Sequence, residues 1–220
     1  MTDLIDAAAA RFASDTTNHT LTVLRDDGLY RHLRFKAPGT GFYWFDLVAW
    51  PGHPAFVGDV APGYVFAHTD DMFGFFRASK HDISPSYWAE KVVTGRDGIK
   101  VYSEDRLRQV VTDDLDHLGE DCPPGLREAA QREVLDDPEV HYEDGARQAL
   151  DAFQFEHMVF TGTGRKRATF RFTDTWEWDL TDWDWAFLWC CHAIRWGIGQ
   201  YDAAKAQSVS PVPLESESAS

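Results

Sequence analysis

The sequence predicts an α+β fold in which an N-terminal antiparallel β-meander packs against C-terminal helices, one of them buried. Five short segments rich in aromatic and β-branched residues, separated by turn residues, lie between residues 20 and 68. Such segments are typical of an antiparallel sheet. After residue 69 the apolar residues recur with helical spacing. Residues 183–201 are apolar around most of a helix circumference, which indicates a helix in the centre of a domain.

The first third of the chain predicts one helix and the five strands. Thr2 is a suitable N-cap for a helix that runs to about Ser14. The segment "HTLTVLRDDGLYRHLRFK" contains two extended runs around an Asp-Gly pair, which favours a hairpin turn. The segment "GFYWFDLVAWPGHPAFVGDV" adds two strands around Pro-Gly, and "GYVFAH" adds a fifth.

The middle of the chain predicts mainly helices. The segments "TDDMFGFFRA" and "SPSYWAEKVV" begin with residues that favour a helix start, and "IKVYS" predicts a short strand. Ser103 then opens a helix in "SEDRLRQVVTDDLDHL", and further helices are expected near residues 125–135 and 144–158. The segment "TGTGRKRATFRFTDTWEWDL" predicts a loop and one or two strands. Its "GTGRKR" lacks the spacing of a phosphate-binding loop.

The segment "WEWDLTDWDWAFLWCCHAIRWGI" contains the predicted buried helix. We expect a strand over residues 176–180, an N-cap at Thr181 and then the helix. The polar positions of the helix form one narrow stripe, Asp184, His192, Arg195 and Asp202. The neighbouring Cys190 and Cys191 point about 100° apart on a helix, so they do not readily share a tetrahedral zinc ion. We therefore expect packing cysteines and predict no metal and no cofactor.

Length and cysteine content favour a single globular domain over residues 1–206 and a disordered tail over residues 207–220. A chain of 220 residues can bury a core without disulfides or metal, whereas "QSVSPVPLESESAS" has too few apolar residues to fold. Three cysteines, two of them adjacent, fit a reducing compartment. Acidic residues stand where a signal peptide carries basic ones, and no apolar run reaches about 20 residues. We expect a cytoplasmic protein that does not bind membranes.

The negative charge is concentrated in one part of the sequence. The net charge is -15, and residues 101–160 alone hold 16 Asp/Glu against 5 Lys/Arg. Such a surface disfavours direct binding to nucleic acid and favours a protein with a basic surface. An acidic face that only confers solubility is the alternative. The candidate partner-binding residues are Asp113, Asp114, Asp116, Asp136, Asp137, Glu139, Glu143 and Asp144.

A second candidate site lies on the predicted meander. His32 and Arg34 share one strand face by parity, and Asp46 would meet them if the two strands pair. His53 and Asp59 would lie near the following turn. A His–carboxylate pair beside an arginine suits acid–base or phosphate chemistry. The alternative is a solvated sheet face with cross-strand ion pairs. The sequence contains no catalytic signature, and no catalytic residue is assigned.

Several strings resemble a family of small proteins encoded by tailed bacteriophages and prophages. They are "RDDGLYRHLRFKAPGT", "FYWFDLVAWPG", "DMFGFFR", "SPSYWAEKV", "VYSED" and "FLWCCHAIRWGIGQYD", which together span residues 20–202. The resemblance implies a phage gene product made in the host bacterial cytoplasm. It carries over no catalytic residues.

The sequence leaves three hypotheses for function open. The first is a non-enzymatic inhibitor that binds a bacterial host component, either an anti-defence target or a nucleic-acid-handling protein, through DNA-like charge mimicry. The second is a small-molecule or nucleotide-binding protein, or an enzyme, that uses the sheet face of His32, Arg34 and Asp46. The third is a structural or assembly accessory of a phage. The sequence does not indicate an oligomeric state.

Overall fold

The computed structural model describes residues 2–61, 63–79, 82–162 and 164–209 and has an α+β fold, which confirms the predicted class. Its strands are β1 (Thr20–Asp27), β2 (Tyr30–Lys36), β3 (Phe45–Trp50), β4 (His53–Gly58), β5 (Tyr64–Phe66), β6 (Val92–Thr94), β7 (Lys100–Tyr102), β8 (Phe155–Thr161), β9 (Gly164–Phe170) and β10 (Thr181–Trp183). Its α-helices are α1 (Thr2–Asp15), α2 (Met72–Arg77), α3 (Pro85–Ala89), α4 (Glu104–His117), α5 (Leu126–Ala130), α6 (Glu143–Ala152) and α7 (Trp185–Val209).

The described residues form two compact units. The first contains the residues up to Ile99 together with those from Trp183 onward, and the second contains Lys100–Asp182. The predicted single domain over 1–206 and disordered tail over 207–220 stay predictions. Helix α7 continues to Val209, three residues past that boundary, and residues 210–220 lie outside the described residues.

The first unit is built on a six-stranded antiparallel sheet in the order β1-β2-β3-β4-β5-β6. The five strands of the predicted meander are all present. Gly28 and Gly52 lie in the β1–β2 and β3–β4 turns with φ of 61° and 80°, a backbone region in which glycine has no steric penalty. The sixth strand, β6, was predicted as the end of a helix. That prediction is wrong: the β-branched Val92-Val93-Thr94 adds an edge strand beside β5 instead.

One face of this sheet, the inner face, is filled by large side chains. Alternate residues of the central strands point into the core and are at most 2% exposed; they are Leu33, Phe35, Phe45, Leu47 and Phe56. The indole of Trp189 in α7 contacts Phe45 and Phe56 edge-on, and it also packs against Phe12 of α1. The core of the first unit therefore contains the inner face, α7 and α1, and helices α2 and α3 add buried residues to it.

Helix α7 is buried as predicted, but its start differs from the prediction. Residues 187–194 are all at most 6% exposed. The expected strand over 176–180 is wrong, since Thr175–Glu177 forms a 3₁₀ turn, and Thr181 lies in β10 rather than at the N-cap. Asp184 performs the capping: its Oδ1 accepts hydrogen bonds from the backbone N–H groups of Ala186 (2.7 Å) and Phe187 (3.3 Å).

The second unit contains α4 to α6, short helical turns, the strands β7 to β9 and the first two residues of β10. Ser103 caps α4 as predicted, because its hydroxyl accepts a hydrogen bond from the backbone N–H of Arg106 at 3.2 Å. The helix expected over 144–158 ends at Ala152, and β8 begins three residues later, so the second half of that prediction is wrong. Phe155 and Phe170 at the base of the β8–β9 hairpin pack on the core of this unit.

None of the described helices is both long enough and apolar enough to cross a lipid bilayer.

Gly197 of α7 lies tightly against side chains of the sheet, and this contact gives a testable prediction. A Cβ at this position would lie 2.9 Å from Leu47 Cδ1 and 3.0 Å from Phe35 Cζ. Gly197→Ala should lower the free energy of unfolding by about 1–3 kcal/mol through overpacking, in spite of the higher helix propensity of alanine. Urea denaturation followed by circular dichroism measures the change.

Gly199 is the matched control, because a Cβ there would meet nothing within 4 Å. Gly199→Ala should therefore raise the stability by up to about 1 kcal/mol. A gain of equal size in both variants would contradict the proposed tight contact of α7 with the sheet.

Candidate functional site

A polar cluster lies on the outer face of the sheet, opposite the face that packs on α7. In β2 the inward residues Leu33 and Phe35 alternate with the outward His32 and Arg34. The β2–β3 register places Arg34 directly opposite Asp46. The structure therefore brings together the three residues that strand parity had linked.

The cluster is organised around the carboxylate of Asp46. Arg34 donates two hydrogen bonds to it, from Nε to Oδ1 at 2.9 Å and from Nη2 to Oδ2 at 2.8 Å. His32 Nε2 lies 2.8 Å from Oδ2, and because an ionised carboxylate only accepts, this nitrogen carries the proton. The Asp46 side chain is 8% exposed, while those of His32 and Arg34 are 34% and 44% exposed.

Electrostatics keeps this carboxylate ionised. Burial opposes its charge, yet the hydrogen bonds from Arg34 and His32 outweigh that effect and lower the pKa of Asp46 below its ordinary value. The same hydrogen bond raises the pKa of Arg34. The negatively charged Asp46 thus holds the positively charged guanidinium of Arg34 in place on the sheet.

A small niche of about 180 Å³ lies beside the cluster. Its lining consists of Arg34, Lys36, Gly41 and Trp44. The guanidinium carbon of Arg34 lies 5.5 Å from the centre of the Trp44 ring, within cation–π distance. Among the described residues, nothing forms an ion pair with the ammonium group of Lys36. The niche therefore combines two cations with one aromatic wall.

The other two residues of the predicted site do not join the cluster. His53 begins β4, stacks on Trp50 at 5.3 Å, and its Nδ1 lies 3.2 Å from the carbonyl oxygen of Pro51. Asp59 follows the other end of β4 and accepts a hydrogen bond from the backbone N–H of Tyr43 at 2.7 Å. Both residues stabilise turns, and the length of β4 separates them.

The eight candidate partner-binding acids all lie in the second unit, but half of them have local partners. Asp116 pairs with Arg127 at 2.7 Å and Glu143 with Arg147 at 3.0 Å. Asp136 accepts a hydrogen bond from Gln131, and Asp137 caps a 3₁₀ turn through the N–H of Glu139. These four acids form part of the local structure of the unit.

The remaining acids have more freedom. Asp114 is half-buried, and this burial raises its pKa. Asp113, Glu139 and Asp144 are exposed. Within the part of the chain that the structure describes, the carboxylates of these three have no hydrogen-bond or ion-pair partner. They are the members of the predicted set that are best suited to contact another molecule.

Cys190 and Cys191 are fully buried in α7. Burial raises the pKa of both thiols well above the ordinary range, so both stay protonated. The described residues contain no group of three or more His, Cys, Asp or Glu side chains that could hold a metal ion. A Cys–Cys metal centre therefore has no further ligands among them.

Sequence reasoning missed Lys36 as a site residue. The signal was present, because Lys36 follows Arg34 by two positions in the same strand and so shares its face. Trp44 stands two positions before Asp46 and shares that face in the same way. Their position in one niche depends on how the chain returns from β2 to β3, which parity does not specify.

A comparison of the chain with protein-family models, curated proteins and solved structures found no match.

The Asp46 cluster gives a prediction for stability. Asp46→Asn should lower the free energy of unfolding at pH 7 by about 1–3 kcal/mol, because it removes the charge from a buried hydrogen-bonded acceptor. The folded pKa lies below the unfolded value of about 3.9, so the ionised form stabilises the fold above that pH. The difference between the wild type and the variant should shrink as the pH falls through the folded pKa.

Asp27→Asn is the matched control on the same sheet. Its partner is Arg25 at 3.1 Å, but the side chains of Arg25 and Asp27 are 60% and 74% exposed, so the change should stay within about 0.5 kcal/mol. Urea titrations at several pH values measure both variants. Equal effects of the two substitutions would contradict a special role for Asp46.

Proposed function

We propose that this chain binds a nucleotide on the outer face of its six-stranded sheet. The observation that carries the proposal is the niche beside Asp46, where Arg34 and Lys36 meet the ring of Trp44. Two cations suit a phosphate group, and the indole face suits a planar base. This function corresponds to the sheet-face hypothesis derived from the sequence.

The hydrogen bonds of Arg34 support a binding role for its guanidinium. Asp46 occupies Nε and Nη2, which leaves Nη1 without a bond to this carboxylate. An arginine held by two hydrogen bonds loses little side-chain freedom when it binds a phosphate, so its orientation favours affinity. Lys36 adds a second charge from the next outward position of β2.

The size of the niche restricts how the ligand lies. A volume of about 180 Å³ is below the range of about 300–1,000 Å³ that encloses most small ligands. The niche would therefore hold the phosphate, while the base stacks on Trp44 and extends over the open sheet. The outward Val48 and Val57 provide an apolar surface there, and Val57 is 42% exposed.

Titration of the purified chain with a purine mononucleotide tests the proposal. Lys36→Gln should weaken binding about tenfold, the effect of losing one charge-assisted hydrogen bond. Trp44→Ala should weaken it by a similar factor, since stacking of a base on an aromatic ring is worth about 1–3 kcal/mol. Isothermal calorimetry at 0.05 M and 0.2 M salt measures both effects.

Lys166→Gln in the second unit is the matched control, because it removes the same charge from an exposed position outside the niche. Inorganic phosphate and a short single-stranded oligonucleotide complete the set of probes. A nucleotide affinity unchanged in both niche variants, or reduced equally in the Lys166 variant, would refute the proposed site. Stronger binding of the oligonucleotide would shift the assignment to single-stranded nucleic acid.

A second candidate function is the inhibitor hypothesis, in which the chain binds a basic host protein in the bacterial cytoplasm. The second unit holds 20 Asp/Glu against 10 Lys/Arg, and its free acids Asp113, Glu139 and Asp144 favour this function. Because half of the predicted acidic set is engaged locally, we rank this function below nucleotide binding.

Charge reversal tests the second candidate. A variant with Asp113, Glu139 and Asp144 changed to Lys should retain the fold, since exposed positions tolerate substitution. It should bind an identified basic partner at least about tenfold more weakly at low salt, and this difference should diminish as screening increases. Reversal of Glu90, an exposed acid of the first unit, is the control. Equal partner affinity in the triple variant and the wild type would exclude a role for these acids.

A further inference from the structure

A cleft of about 610 Å³ lies along α7 in the first unit. Its volume falls within the range of small-ligand sites. Ala9 and Phe12 of α1 and Trp196 of α7 form apolar walls, and Asp82, His192 and Arg195 contribute polar groups. It shares no lining residue with the niche on the outer sheet face. This cleft is therefore separate from the proposed nucleotide site.

Arg195 is a half-buried cation in the cleft that lacks a counter-ion among the described residues. The two carboxylates that also line the cleft have partners other than Arg195. Asp202 forms a bidentate pair with Arg77 at 2.6 and 2.7 Å, and Asp82 Oδ2 lies 3.4 Å from His192 Nδ1. The contact from Arg195 Nη1 to the carbonyl oxygen of Phe76 is 3.5 Å long, at the limit of a hydrogen bond. Most donors of this guanidinium remain available.

His192 provides an independent indication of a polar site. Its side chain is only 6% exposed, and its ring stacks on Phe12 at 6.3 Å. Its Nε2 is buried, and no described residue forms a hydrogen bond with it. A buried polar atom without a partner destabilises the folded state by about 1–3 kcal/mol, so a histidine that served only as a packing residue would be unfavourable here. Packing alone does not explain the polar stripe of α7.

We propose that this cleft binds a small carboxylic acid with an apolar body. The carboxylate of the ligand accepts two hydrogen bonds from the guanidinium of Arg195, whose planar fork matches it in shape and charge. The apolar body lies against Phe12 and Trp196. A phosphate dianion fits less well, because it carries two negative charges against the single charge of Arg195 in a cleft that the carboxylates of Asp82 and Asp202 also line.

Calorimetric titration of the full chain with hexanoate and with benzoate tests the proposal. We expect saturable binding with a Kd of about 1 mM or tighter and a loss of about tenfold or more in Arg195→Gln. Hexylamine is the probe of opposite charge, and inorganic phosphate is the probe of higher charge. Both should bind more weakly than hexanoate and benzoate. Arg11→Gln is the matched control: this cation lies on α1 and stacks on Trp185, outside the cleft lining, and its variant should bind the acids as the wild type does.

Ala13→Leu is a second variant that keeps the guanidinium and narrows the cleft from α1. It should weaken binding even if Arg195→Gln does not fold. The proposal is overturned if neither carboxylate binds saturably, if hexylamine binds as tightly as hexanoate, or if the affinity is unchanged in Ala13→Leu or in a folded Arg195→Gln variant.

Discussion

The burial of α7 against the inner face of the sheet is the interaction on which the first unit depends. Residues 187–194 are buried on every side of the helix, so this part of α7 contributes more apolar burial than an amphipathic segment of equal length. Polar contacts then fix its C-terminal part. Asp202 binds Arg77 of α2, and Tyr201 donates a hydrogen bond to Asp26 of β1 at 2.8 Å. The helix thereby joins distant parts of the sequence.

This arrangement determines the character of the opposite sheet face. Because the inner residues of β2 and β3 are occupied by the core, the alternate positions face outward and can carry charge. A buried carboxylate at one of them, Asp46, requires partners, and Arg34 and His32 provide them. The fixed guanidinium beside Trp44 is thus a consequence of satisfying one buried charge.

The features predicted well from the sequence are those set by local rules. Turn residues and alternation predicted the first five strands, and parity placed His32, Arg34 and Asp46 on one face. The errors arise where contacts with residues distant in the sequence determine the local structure. Strand β6 depends on pairing with β5, and Asp184 rather than Thr181 caps α7 because Thr181 lies in β10. The cleft at Arg195 depends on the packing of α1 on α7, which periodicity alone does not describe.

The three cysteines differ in burial, so their reactivity can report local opening of the structure. Cys190 and Cys191 are inaccessible in the first unit, whereas Cys122 is half-buried in the second. A thiol-reactive reagent must wait for the first unit to open before it reaches the adjacent pair, since only an exposed thiolate reacts. The alkylation rate of this pair, compared with that of the more accessible Cys122, therefore measures how often the first unit opens under native conditions, without any engineered label.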